Sequence, residues 1–155
     1  MAFRLVSSGG VVIEPAAVLM YASGVVRPGS VVIRDTAANA VSPATAALAT
    51  TTSIVGICLD YAQGFSDTQV RVVPFVVGQL WEADAVNAIT TTQLMLRHTL
   101  ADNVNVRNIV NTYETSSAAV FLAYNMTGLT TGSGKLIGTF LAHTPLRSGA
   151  YTVTG

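Results

Sequence analysis

Residues 53–81 constrain the fold more than any other part of the chain. Ile54, Val55, Ile57 and Leu59 supply one branched apolar run, and Val70, Val72, Val73, Phe75, Val76 and Val77 supply another. Between them lies a polar turn, Ala62-Gln63-Gly64-Phe65-Ser66-Asp67. β-Branched and aromatic side chains at this density suit a pleated, largely buried surface, so the stretch reads as two strands of a central hairpin ending at Trp81. Pro74 offers no N–H to a ladder, which implies an edge or a bulge within the second strand. Nothing on this hairpin carries evident chemistry.

The rest of the chain must bury that hairpin, and 155 residues are enough for one domain with a real core. Charged residues are scarce, 10% against a more usual ~25%, and eight basic residues cancel eight acidic ones. A near-neutral, charge-poor surface favours association, so much of it is expected to be covered by a partner or by further copies. Lys135 is the single lysine and the arginines are scattered, which argues against nucleic-acid binding. Glu14 and Pro15 interrupt the apolar run after Arg4, so no signal peptide is expected. The uncharged run at 36–59 is full of Thr, Ala and Ser and is not a membrane span.

Taken in order, residues 1–9 lack periodicity and run into Ser7-Ser8-Gly9-Gly10, which predicts an N-terminal arm ahead of a single β-rich domain at 10–155. Strands are expected at 11–14, 17–21 and 31–34, with turns at Pro28-Gly29 and at 35–39, where Asp and Asn bond their own backbone. Residues 40–52 are small and Thr-rich and are read as no more than a turn or two of helix. Further strands are expected near 93–102, at 104–109 and at 151–154. A second strong hairpin pairs 118–124 with 135–141. Many short strands between turn signals predict an all-β fold, a small barrel or sandwich of mostly antiparallel strands.

The candidate chemistry is thin. His98 and Asp102 would share a face only on a helix, and no nucleophile is placed beside them. His143 reads as a loop residue. Cys58, between Ile57 and Leu59, reads as a buried inert thiol. Two distant His and one Cys have no metal-ligand spacing. Asp60, Asp67, Glu82 and Asp84 against Arg71 suggest a solvated or partner-facing acidic edge without a calcium pattern. The Gly-rich run 128–135 lacks phosphate-loop spacing and reads as a hairpin turn. Asn125-Met126-Thr127 is a glycosylation sequon, meaningful only in a secreted chain. No catalytic, cofactor-binding or metal-binding residue is expected. Phe3, Arg4 and Leu5, an apolar-plus-Arg combination, and Trp81, a core residue or an interface anchor, are the candidate interface residues.

One resemblance bears on function. The order Val25-Val26-Arg27-Pro28-Gly29-Ser30-Val31-Val32, then Ala40-Val41-Ser42-Pro43-Ala44-Thr45-Ala46, Ile54-Val55-Gly56-Ile57-Cys58-Leu59-Asp60 and Gln69-Val70-Arg71-Val72 resembles the capsid decoration (cement) proteins of tailed bacteriophages. The resemblance covers about a third of the chain and stops short of Val86. It implies a non-enzymatic virion protein, made in the host cytoplasm, that binds the major capsid protein on the outer face of the assembled shell, often as a homotrimer. It implies no cofactor, no nucleic acid and no membrane. The alternatives are another virion β-protein, such as a tail or head-fibre subunit, or a carbohydrate-binding β-sandwich module.

Overall fold

A computed structural model of the chain describes residues 3–8, 16–63, 68–76, 78–107, 115–127 and 135–142. The strands expected at 11–14 and 151–154, together with His143 and Asp67, lie outside the described residues. The fold is all-β, as expected, and its strands form two small closed rings.

The first ring grows from the branched runs. Strands β2 (Val18–Ala22), β4 (Val31–Asp35), β5 (Ala40–Pro43), β6 (Ile54–Cys58) and β8 (Thr68–Pro74) close in the order β2-β5-β4-β6-β8. Two short strands, β3 (Val25–Val26) and β7 (Ala62–Gln63), pair as a separate ribbon. Ala22, Val32, Val41, Val55, Cys58, Val70 and Val72 share one core cluster with Val26 and Ala62 of that ribbon. The turns have the expected chemistry. Gly29 takes φ 82° after Pro28, Asn39 takes φ 51°, and the Asp35 carboxylate accepts the Ala38 N–H.

Strand β6 is buried along its whole length because it has a core on each side. Ile54 and Ile57 face one cluster and Val55 and Cys58 the other. Strict alternation would not put residues three apart on the same face. A register shift against β4 accounts for it: Val32 opposes Gly56 and Ile33 opposes Ile54, so β6 carries an extra residue there. Gly56 is required for a second reason, since a Cβ there would lie 2.2 Å from the Val73 carbonyl oxygen.

The expected second strand of the central hairpin, 69–81, is two strands. β8 ends at Pro74, and β9 (Gln79–Ala85) starts after Gly78, which has φ 95°. The chain changes sheets across this break, because Pro74 cannot extend a ladder and Gly78 accepts a backbone that other residues resist. β9 then organises the second ring. It pairs β11 (Asn105–Arg107) in parallel, and β11 leads through β10 (Arg97–Leu100), β12 (Phe121–Met126) and β13 (Leu136–Phe140) back to β9. β12 and β13 are the second predicted hairpin. The segment before β10 is a 3₁₀ turn, Thr91–Gln93, and not the start of a strand.

β1 (Arg4–Ser8) corrects the expectation of a separate arm. It pairs antiparallel with β9, Leu5 opposite Trp81, and the Phe3 N–H donates to the Gly29 carbonyl at 3.0 Å. The physical reason is the Phe3 ring, which lies 5.0 Å from that of Phe140 and 6.3 Å from that of Phe121. Phe75 stacks on Phe140 at 4.2 Å, and Trp81 meets Phe75 edge-on at 6.0 Å. These aromatic rings, with Val31, Ile33, Ile54 and Val73 from the first ring and Leu100, Val106 and Leu136 from the second, make one core between the two units.

Candidate interaction surface

The four candidate interface residues do not form a surface. Phe3 is 5% exposed and Trp81 2%, both committed to the shared core. The Trp81 indole N–H donates to Gln79 Oε1 at 3.3 Å, and the same amide accepts the Val76 N–H and donates to the Pro74 carbonyl. An aromatic with its polar atom satisfied inside its own chain is not a free anchor, so Phe3 and Trp81 are corrected to core residues. Leu5 is half-buried against that core. Arg4 is exposed, but its guanidinium forks onto Glu82, its cross-strand neighbour, at 3.3 and 3.1 Å.

The acidic edge also dissolves on inspection. Asp60 holds Arg71 through both side chain and backbone, at 2.7 and 2.8 Å. Those hydrogen bonds hold its carboxyl below the usual carboxylate range. Glu82 is taken by Arg4 and Asp84 by Lys135. Burial pushes the Asp84 carboxyl up, and the hydrogen bond from Lys135 helps bring it below the ordinary value. Sequence spacing could not show these pairs, because each joins separate segments of the chain that the fold brings together.

His98 and Asp102 do not meet. Asp102 caps its own turn, accepting from the Val104 and Asn105 N–H groups at 2.8 and 2.9 Å. His98 is fully buried on β10, with Nε2 2.9 Å from the Gln93 carbonyl and Nδ1 without a hydrogen-bond partner among the described residues. Burial pulls its pKa down, which keeps the ring neutral with the proton on Nε2. Cys58 is buried as expected. Its Sγ lies 3.0 Å from the Asp60 carbonyl, and burial pushes the thiol up. Among the described residues no group of three or more His, Cys, Asp or Glu is placed to hold a metal, and no helix is long and apolar enough to cross a membrane.

What stands out instead is β2, expected as a strand but not among the candidate interface residues. Val18, Leu19 and Tyr21 are 49%, 61% and 47% exposed. One edge of β2 is paired along its length with β8, from Val18 opposite Val72 to Ala22 opposite Thr68. The other edge meets β5 only where Ala22 pairs with Val41. There the ring is pinned: the Ser23 N–H donates to the Val41 carbonyl at 2.8 Å and its hydroxyl to Asp35 at 2.7 Å. Short of that pin the strands part, leaving a groove of about 470 Å³ whose lining includes Met20, Tyr21, Arg34, Val41 and Val55. The sequence signal was the uncharged run Val18-Leu19-Met20-Tyr21-Ala22, too apolar for a solvated strand. A second hollow of about 310 Å³ lies beside Phe75, Val76, Leu80 and Tyr124.

No family model, no curated protein and no solved structure matches the chain.

Proposed function

We propose that this chain is a non-enzymatic structural protein of a tailed-phage virion, which binds the major capsid protein on the outer face of the assembled shell and associates with itself, as a homotrimer. The observation that carries the reading is the apolar outer face and open groove at β2. Leu19 and Tyr21 expose apolar surface on the outward side of β2 beside the groove, and apolar surface next to a groove suits an interaction site. The residues that carry the resemblance to decoration proteins, 25–72, run from β3 into β8 and so supply most of the same ring. The low charge content supports the reading, because few charges need desolvating when the surface is covered. Binding to assembled shells and not to free subunits would stabilise the shell by mass action. The carbohydrate-module alternative is weakened by Trp81, whose buried ring is unavailable as a sugar platform.

The test is to mix the purified protein with undecorated heads of a tailed phage that encodes it and image them by cryo-electron microscopy. Ordered density on the outer shell surface is the expected result. Bare heads at micromolar protein would defeat the proposal.

A further inference from the structure

Among the described residues β2 has one edge that is largely unpaired. No strand among the described residues pairs Val18–Met20 on the side away from β8; the ladder with β5 begins only at the Ala22–Val41 bridge, flanked by the Tyr21 carbonyl and the Ser23 N–H. Natural edge strands are usually blunted by lysine, proline or a bulge, because a bare row of N–H and C=O groups recruits another strand. β2 has none of these, and its register with β8 runs without a shift. The groove alongside has Met20, Val41 and Val55 in its lining, so an added strand would find both ladder partners and apolar contacts.

We propose that this edge is completed by residues 150–154 of a second copy of the chain, deepening the self-association in the reading above, on which it rests. Three observations select that occupant. First, residues 150–154 read Ala-Tyr-Thr-Val-Thr, a strand pattern in which Tyr151 and Val153 share one face and Thr152 and Thr154 the other. Second, no charge occurs from Ser148 to the last residue, so the segment brings no ion of its own into a groove that also holds Arg34 and Asp35. Third, the described chain ends at Ala142, just past β13 of the second ring, whereas the open edge belongs to the first. Eight residues from Ala142 span roughly 26 Å when extended, against a radius of gyration of about 15 Å for a domain of this size, so the segment can leave its own subunit. Donor and acceptor lie on different sheets, so the exchange is open to a reciprocal dimer or to a head-to-tail ring such as a trimer. Residues 11–13 are the rival β-branched run, but Glu14 and Pro15 stand in their short connection to β2.

The experiment uses the full chain with the double substitution Thr152→Pro and Val153→Pro, which removes ladder donors in either register while leaving the described core untouched. Light scattering and amide hydrogen exchange at Val18–Tyr21 are read on both proteins. The wild type is expected to be oligomeric with slow exchange at the alternate amides that point away from β8. The variant is expected to be monomeric, with those amides exchanging at least about tenfold faster. Val153→Lys, which puts a charge into the groove, should act in the same direction. Unchanged mass and exchange in both variants would overturn the proposal. So would a monomeric wild type whose protection is lost in the variant, since the edge would then be covered by the chain's own tail. Head decoration is scored separately on wild type: bare heads with a tail-dependent oligomer strike the capsid reading and leave this one standing.

Discussion

His98 gives the fold a pH dependence whose sign and window follow from its surroundings. In the folded chain the ring is fully buried, donates through Nε2 to the Gln93 carbonyl, and has no acceptor for a proton at Nδ1 among the described residues. Charging it would place an unpaired cation opposite Phe121 on the neighbouring strand. Its folded pKa therefore lies below the unfolded value of about 6.5. The unfolded chain binds the proton first on acidification, so stability is full above pH ~6.5 and falls as pH drops below it. The slope is limited to about 1.4 kcal/mol per pH unit, or roughly 2 kcal/mol between pH 6.5 and 5. Asp35, Asp60 and Asp84 are shifted downward, so their losses begin only below the unfolded carboxylate value of about 4 and leave this window clear. Urea midpoints by circular dichroism from pH 8 to 5 should show the decline in wild type. His98→Gln keeps a donor for Gln93 without titrating, so its profile should be flatter below pH ~6.5, by no more than that limit, whatever its absolute stability. Parallel profiles for the two proteins across pH 7–5 would refute the assignment.

The aromatic core makes stronger demands. Phe140→Ala, at the centre of the ring cluster, is expected to cost about 3–5 kcal/mol by denaturant unfolding. Deleting residues 2–8 should cost a similar amount through loss of Phe3, read as a drop in thermal midpoint; an unchanged midpoint would mean that β1 is not part of the fold. Gly138→Ala would set a Cβ 2.1 Å from the Leu122 carbonyl oxygen, so β12 and β13 must separate and stability should fall by at least ~1–3 kcal/mol, with altered amide shifts on both strands. Cys58 should resist an aromatic disulfide reagent until urea unfolds the chain, while Cys58→Ser, able to keep the bond to Asp60, should cost only about 1 kcal/mol.

The first ring was legible because its strands announce themselves locally: branched runs at 31–34, 54–58 and 70–73, with Pro28-Gly29 and Asp35 to Asn39 marking the turns. Strand β5 was missed because Ala40, Ser42 and Pro43 have no strand signature of their own. They are strand because β4 is beside them, Val32 opposite Pro43 and Arg34 opposite Val41. The break after Pro74 was visible as a proline, but whether a proline bends a strand or ends it depends on where the next segment pairs. Phe3 and Trp81 were marked as interface candidates for their size and chemistry. Only pairing across 76 positions, Leu5 with Trp81, shows that they face inward. The β2 groove was illegible for a similar reason: whether an apolar strand is a core or a surface depends on how far its neighbour runs.

Strand β9 has a consequence for how the protein comes into being. Trp81 stands opposite Leu5 on one side and Gly138 on the other, so the strand joins the beginning of the chain to nearly its end. At a synthesis rate of ~5–20 residues per second, roughly 7–27 s separate the making of Leu5 from that of Gly138. Through that interval the ribosome holds a nascent chain whose first aromatic, Phe3, lacks the Phe121 and Phe140 rings it will rest on. The second ring cannot close before its last strand emerges, and such long-range pairing is slow in itself. Yield in a fast-translating host is therefore set by how well chaperones shield the amino-terminal strand during those seconds. Slowing translation between β9 and β13 will not help, because it lengthens the wait; supplying a chaperone that binds extended apolar segments will.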